Sequence, residues 1–251
     1  AVIVNTTPVG MYPNVGVSPV DLNLFPELEG VLDIIYNPAR TQLILDAEER
    51  GLIAENGLWM LVAQAKESAE WFTGRKISDN KISKIHGLLQ KQMENLVLVG
   101  MPGCGKSTIG KLLAQQINRR FVDADEEIAK QAKMTIPEIF RLTGESGFRK
   151  LETKVLSELG KDSGLVIATG GGCVTRQENY PILHQNGRIV WIRRDLNKLP
   201  IDGRPLSQAN KLEEMYRIRA PLYETFSDLM IDNNGSCEET VGKLLKMEGY
   251  Q

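Results

Sequence analysis

Gly100-Met101-Pro102-Gly103-Cys104-Gly105-Lys106-Ser107 decides how the chain is read. It fits G-x-x-x-x-G-K-[ST], a loop that cradles phosphate. Residues 96–99 before it are Leu-Val-Leu-Val, an apolar run that reads as a buried strand. Residues 108–114 after it, Thr-Ile-Gly-Lys-Leu-Leu-Ala, have helical spacing. Strand, glycine loop and helix is the order that the motif requires. Gly103 and Gly105 let the backbone turn and approach an anion with no Cβ in the way. The freed N–H groups and the helix N-terminus then face phosphate. Lys106 is placed to neutralise β- and γ-phosphates, and the Ser107 hydroxyl to ligate Mg²⁺.

Outward from this loop, residues 95–251 alternate between short apolar runs and helical patterns. Strands are expected at 96–99, 121–123, 165–169, 189–192 and 229–231. Helices are expected near 106–117, 126–133, 136–142, 146–159, 177–185, 209–225 and 238–247. This predicts an α/β domain with a five-stranded parallel sheet and helices on both faces. Ligands of such sheets sit at the C-terminal ends of the strands.

The residues after each strand are therefore the candidates. Asp123-Ala124-Asp125 reads as two carboxylates on an extended segment, pointing the same way. One suits Mg²⁺ and the other a hydroxylated substrate; alternatively Asp125 caps the next helix. Gly170-Gly171-Gly172 leaves bare backbone for a ligand, or is a flexible turn. Arg149 and Glu152 share one helix face, either as a held carboxylate clamp or as a surface pair. Residues 195–207 read as a lid, or as a plain surface loop, and Arg204 within them as an arginine able to close over a transferring phosphoryl group. Arg219 offers a second guanidinium, whereas Leu222 and Tyr223 read as packing residues. Cys104 and Cys173 follow neighbouring strands, so thiol modification is expected to inactivate and ATP to protect.

Taken in order, Gly100 to Thr108, Asp123-x-Asp125, Phe148-Arg149 with Glu152, Gly170-Gly171-Gly172, Arg204-Pro205-Leu206 and Arg219-x-Pro221-Leu222-Tyr223 resemble the shikimate kinase family. The resemblance implies the P-loop fold of the nucleoside monophosphate kinases. It implies ATP-dependent phosphorylation of the shikimate 3-hydroxyl, a step toward chorismate and the aromatic amino acids. It assigns Asp125 to the ring hydroxyls and to orienting the attacking one, with Lys106 and Arg204 as the other catalytic groups. Arg149 and Arg219 would bind the carboxylate, beside the Gly171 and Gly172 backbone. Gly103, Cys104, Gly105, Lys106, Ser107, Thr108 and Arg204 would contact ATP, and Ser107 and Asp123 would hold Mg²⁺. Other readings of the same residues are a different small-molecule kinase, such as a gluconate kinase, or a nucleotide switch without catalysis.

Residues 1–94 read as part of a parallel α/β unit, Rossmann-like but partial. Strands are expected at 1–4, 31–36 and 52–54, and helices over 41–50 and 58–72, the second stopped by Gly74. No G-x-G-x-x-G occurs in this stretch. Asn5-Thr6-Thr7-Pro8-Val9-Gly10-Met11, residues 33–38 with Thr41 and Leu43, and residues 56–65 resemble the C-terminal third of shikimate dehydrogenase. The resemblance covers residues 1–74 and implies that Ile34 and Gly57 lie along NADP and that Tyr36 and Gln64 contact shikimate. Trp59 departs from the glycine usual there. The catalytic Lys and Asp and the dinucleotide loop of that family would precede Ala1, so no dehydrogenase activity is expected. NADP belongs only to a complete dehydrogenase domain, and an upstream dehydrogenase portion is expected as the missing partner. Residues 75–94 read as a linker or an amphipathic helix.

The totals agree with this picture. The chain has 251 residues, 42% hydrophobic and 25% charged, with a net charge of −2. Nothing in that balance points to nucleic acid or a membrane as partner. No apolar run is long enough to span a bilayer, and three cysteines without metal spacing favour a reducing, cytoplasmic setting.

Overall fold

In a computed structural model, residues 1–199 and 209–250 are described. The chain divides into two units, one of Ala1–Glu94 with His184–Asn186 and a second holding the remainder from Asn95 on.

In the first unit, β1 (Val2–Asn5), β2 (Gly30–Asp33) and β3 (Ile53–Glu55) form a parallel sheet in that order. Helix α1 (Gln42–Glu49) starts at Thr41, whose side chain accepts the Ile44 N–H. It buries Leu43 and Ala47 against Val31, Leu22 and Leu28. The strand expected over 31–36 stops at Asp33. The cause is local: Asp33 Oδ1 accepts the Ile35 N–H at 3.0 Å, which withdraws that donor from strand pairing. Helix α2 (Leu58–Thr73) ends at Gly74 in the left-handed region, φ 63°. Helix α3 (Asn80–Met93) occupies most of the stretch between 75 and 94. Glu70 fastens the turn before α3 by accepting the Ile77 N–H at 2.6 Å and pairing with Lys66 and Lys76.

The second unit runs β4 (Asn95–Val99), α4 (Lys106–Gln116), β5 (Arg120–Asp123), α5 (Ala124–Ala132), α6 (Ile136–Leu159), β6 (Leu165–Ala168), α7 (Asn179–His184), β7 (Gly187–Arg193), α8 (Ala209–Phe226), β8 (Leu229–Asp232) and α9 (Cys237–Met247). The sheet order is β5-β6-β4-β7-β8, with every pair parallel. All five residues of β4 are buried although successive side chains point to opposite faces, so both faces of the sheet are covered.

Two departures from expectation have local causes. Helix α5 starts at Ala124 rather than 126, because the Asp123 side chain caps it by accepting the Asp125 N–H at 3.0 Å. The two helices expected over 136–142 and 146–159 are one run broken at Gly144, where φ is 67° and ψ −176°. A capping box between Thr135 and Glu138 opens that run.

Candidate active site

Strand β4 lies between β6 and β7, and the chain runs from β4 to β5 on one side of it and from β6 across to β7 on the other. A crevice opens at the strand ends of such a switch point. Here it is a cleft of about 820 Å³, and the phosphate loop forms one of its walls. Gly103, Gly105, Lys106, Ser107 and Thr108 line that side. Lys106 is buried, and its ammonium donates to the carbonyls of Gly100 at 2.9 Å and Met101 at 3.0 Å. Cys104 differs from its neighbours in the loop. Its side chain is buried in the core and is absent from the cleft wall.

The carboxylates reach the cleft by a route other than the one expected. Asp123 ends β5 and Asp125 stands in the first turn of α5, so they do not share one extended segment. Both line the cleft nonetheless. It is Asp123, not Asp125, that caps the helix. Its second oxygen accepts the Ser107 hydroxyl at 2.6 Å. Two hard oxygen donors thus meet at the cleft, which suits Mg²⁺. Among the described residues no group of three or more His, Cys, Asp or Glu could hold a metal, so a cation here would complete its shell with phosphate oxygens and water.

Arg149, which lines the same cleft, forms a buried pair with Glu152, Nη1 to Oε2 at 2.7 Å. The alternative of a surface pair falls, since their side chains are 12% and 0% exposed. Glu145 also approaches Arg149, at 3.4 Å. Burial raises the Glu152 carboxyl above its ordinary value; Arg149 pulls the other way, and Asp125 adds to the rise. Arg219 lines the cleft and donates to the Gly171 carbonyl at 3.1 Å.

The three glycines line the cleft as expected, but they also make room for the protein's own side chains. A Cβ at Gly170 would stand 2.6 Å from Glu152 and 2.9 Å from Asp125. One at Gly171 would meet the Pro102 ring at 2.7 Å, and one at Gly172 the Arg149 guanidinium at 2.0 Å. Residue by residue, the glycine run makes room for the clamp, the acidic pair and the phosphate loop.

The sequence reading missed several groups. Phe140, stacked on Phe148 with ring centroids 4.5 Å apart, lines an apolar side of the cleft with Ile136, Pro137 and Met215. The sequence signal was helical spacing, which looks the same for a core face. Tyr223 packs against Trp191 as its apolar neighbours suggest, yet its hydroxyl also donates to the Gly171 carbonyl. The cysteine expectation is corrected. Cys104 and Cys173 are 1% and 0% exposed, and burial pushes the Cys173 thiol up to about 12, so neither is a ready target for modification. Arg204 and most of the segment read as a lid lie outside the described residues.

In the first unit, Ile34 and Gly57 are brought together: a Cβ at Gly57 would overlap the Ile34 carbonyl at 1.9 Å. Tyr36 and Gln64 are both exposed. Trp59 is 47% exposed and packs on His86, ring centroids 5.2 Å apart.

A glycine phosphate loop on the central strand of a β5-β6-β4-β7-β8 parallel sheet, facing a polar half-cleft, defines a P-loop kinase of the nucleoside monophosphate kinase type. The sequence model of the shikimate kinase family matches residues 102–248, and the chain belongs to that family. A shikimate kinase of Neisseria meningitidis serogroup C is 39% identical over 160 residues, covering 60% of this chain and 94% of that one. The structure of shikimate kinase from Acinetobacter baumannii in complex with shikimate is 36% identical, with a TM-score of 0.59, and covers 64% of this chain and 96% of that one. Shikimate dehydrogenase 1 from Peptoclostridium difficile is 40% identical over a part, 35% of this chain and 33% of that one, with a TM-score of 0.33.

Proposed function

We propose that the second unit transfers the γ-phosphoryl group of ATP to the 3-hydroxyl of shikimate, giving shikimate 3-phosphate and ADP. The observation that carries this reading is the meeting of Asp125, Arg149 and Arg219 with the phosphate loop in one cleft. Shikimate offers a carboxylate and three hydroxyls. Two guanidiniums suit the carboxylate, and Asp125 suits a hydroxyl.

Arg149, held by Glu152, and Arg219, tethered to Gly171, bind the carboxylate and fix the ring. Asp125 orients the attacking hydroxyl and accepts its proton. Backbone N–H groups of the loop hold the phosphates, and Lys106 turns from the loop carbonyls to neutralise them. The Ser107 and Asp123 oxygens would hold Mg²⁺, which when bound supplies charge neutralisation on the phosphates. Most of the rate then comes from positioning and charge complementarity. Arg204 is assigned to ATP phosphates on the family resemblance alone.

The first unit we propose to be a segment of shikimate dehydrogenase type, without that activity in this chain. Its support is the Asn5-Thr6-Thr7 loop, the contact between Ile34 and Gly57, and the lack of a dinucleotide glycine loop within it.

The test is ADP production from ATP and Mg²⁺ with shikimate, gluconate or a nucleoside monophosphate as acceptor. Turnover with shikimate alone is expected. Turnover with gluconate instead, or nucleotide binding without any acceptor-dependent turnover, would overturn the reading. Shikimate-dependent NADP reduction would overturn the second proposal.

A further inference from the structure

Behind the phosphate loop lie two buried polar side chains that the reaction above does not use. Asn233 follows the last residue of β8 and Thr240 lies in α9; each is 1% exposed. Asn233 Nδ2 donates to the Cys104 carbonyl at 2.8 Å. Thr240 Oγ1 donates to Asn233 Oδ1 at 2.9 Å. Chemistry fixes which way the amide faces. A carbonyl only accepts, so the NH₂ must face Cys104 and the oxygen must face the hydroxyl. The Thr240 proton has a second acceptor within reach, the Ser236 carbonyl at 3.1 Å. The Asn233 backbone N–H donates to the Arg193 carbonyl at 2.7 Å, which ties the residue to the end of β7.

We infer that Asn233, oriented by Thr240, is a positioning residue for the phosphate loop: it sets the plane of the Cys104–Gly105 peptide so that the Gly105 N–H faces the cleft. The peptide is planar and trans, so its C=O and N–H point in opposite directions. Holding the C=O on Asn233 sends the N–H the other way, and Gly105 lines the cleft. Gly105 has φ 101°, and a Cβ there would stand 2.6 Å from Asn233 Nδ2. The same glycine that the loop conformation needs is therefore also pressed against this amide. Without Asn233 the Cys104 carbonyl becomes a buried acceptor with no donor, and the peptide is released to turn. A misdirected N–H weakens phosphate binding, because such a site works by dipoles fixed in advance. Neither Asn233 nor Thr240 lines the cleft, so the acid-binding half is untouched.

The inference rests on reading the loop as the nucleotide-phosphate site, and the experiment separates the two. Calorimetric Kd values for MgADP and for shikimate, with KM for ATP, are measured on the full chain and on Asn233→Leu, Thr240→Val and Thr240→Ser. MgADP Kd and ATP KM are expected to rise about tenfold in Asn233→Leu, the size of one lost buried hydrogen bond. A rise of about threefold is expected in Thr240→Val, with recovery in Thr240→Ser. Shikimate Kd should stay within about twofold throughout, since no shikimate contact changes. Unchanged nucleotide affinity in both Asn233→Leu and Thr240→Val overturns the inference. So does equal weakening of both ligands, which marks a merely structural role. If Asn233→Leu does not fold, the Thr240→Val and Thr240→Ser pair decides alone. Failure of the unaltered chain to bind MgADP overturns the nucleotide reading, and the inference with it.

Discussion

At the ends of β1 and β2, Asn5, Asp33 and Thr41 use their polar atoms on one another. Asp33 is wholly buried and accepts from Asn5 at 3.0 Å, Ile35 at 3.0 Å and Thr41 at 2.7 Å. Asn5 in turn accepts from Thr7. At the ends of β4, β5 and β6, the polar residues instead line a cleft of about 820 Å³. Asp123, Asp125, Arg149 and Arg219 all stand in its wall. Both units are parallel α/β, and both carry acidic residues where such sheets bind ligands. A carboxylate at a strand end is thus no evidence of a site by itself. What separates the two is where the oxygens go: into the fold, or toward space shaped to receive something.

The largest effect should come from the cleft. Asp125→Asn keeps shape but removes the charge and the proton acceptor proposed above. Turnover with shikimate should fall by about 10²- to 10⁴-fold in steady-state assays, with MgADP binding retained. A loss below tenfold would put Asp125 in the same class as Asp33. Next, Asp33→Ala leaves three buried donors without their acceptor. Hydrogen exchange in β1, β2 and α1 should report a loss of about 2–4 kcal/mol, with kinase turnover unchanged. A fall in turnover would break the comparison from the other side. Smaller again is Arg149→Lys, which loses the planar fork against Glu152 and the substrate. Shikimate KM should rise about tenfold while ATP KM holds. Equal change in both would remove Arg149 from the clamp.

The smallest effect belongs to Glu70, a second carboxylate used within the fold. The Ile77 N–H, with Lys76 and Lys66, holds its carboxyl down at about 2 from the ordinary 4.5. A depressed value means that the charged form is favoured by folding. The contribution is therefore present above about pH 4.5 and is lost as pH falls from there toward 2. Exchange at Ile77 and the first turn of α3 should accelerate, relative to the rest of the chain, over that window. Flat relative protection across it would show that Glu70 does not fasten the turn.

Much of this was legible in the residue order. The glycine loop between Val99 and Lys106 marks its own structure, because each of its requirements is local. A helix capped by Thr41 and another stopped by Gly74 are likewise local events. Element ends moved where a side chain intervened, as Asp33 did by taking the Ile35 N–H and Asp123 by taking that of Asp125. The pairing of Arg149 with Glu152 was visible as spacing, but its burial was not, since burial depends on β6 and the glycine run after it. Asn233 was invisible for a stronger reason. Its partner, the Cys104 carbonyl, lies 129 residues away and is backbone, which carries no residue identity to recognise.

The absence of a side chain at Gly172 has a consequence for how tolerance to change is scored along this chain. A Cβ there would fall 2.0 Å from the Arg149 guanidinium. Adding a single methyl group at Gly172 therefore requires the Arg149 guanidinium to move, with no charged or reactive atom altered. A survey that ranks substitutions by chemical severity would place glycine to alanine among the mildest and misjudge this one. At this position the smallest available change is expected to displace an arginine 23 residues away in the chain, which no ranking by residue type records.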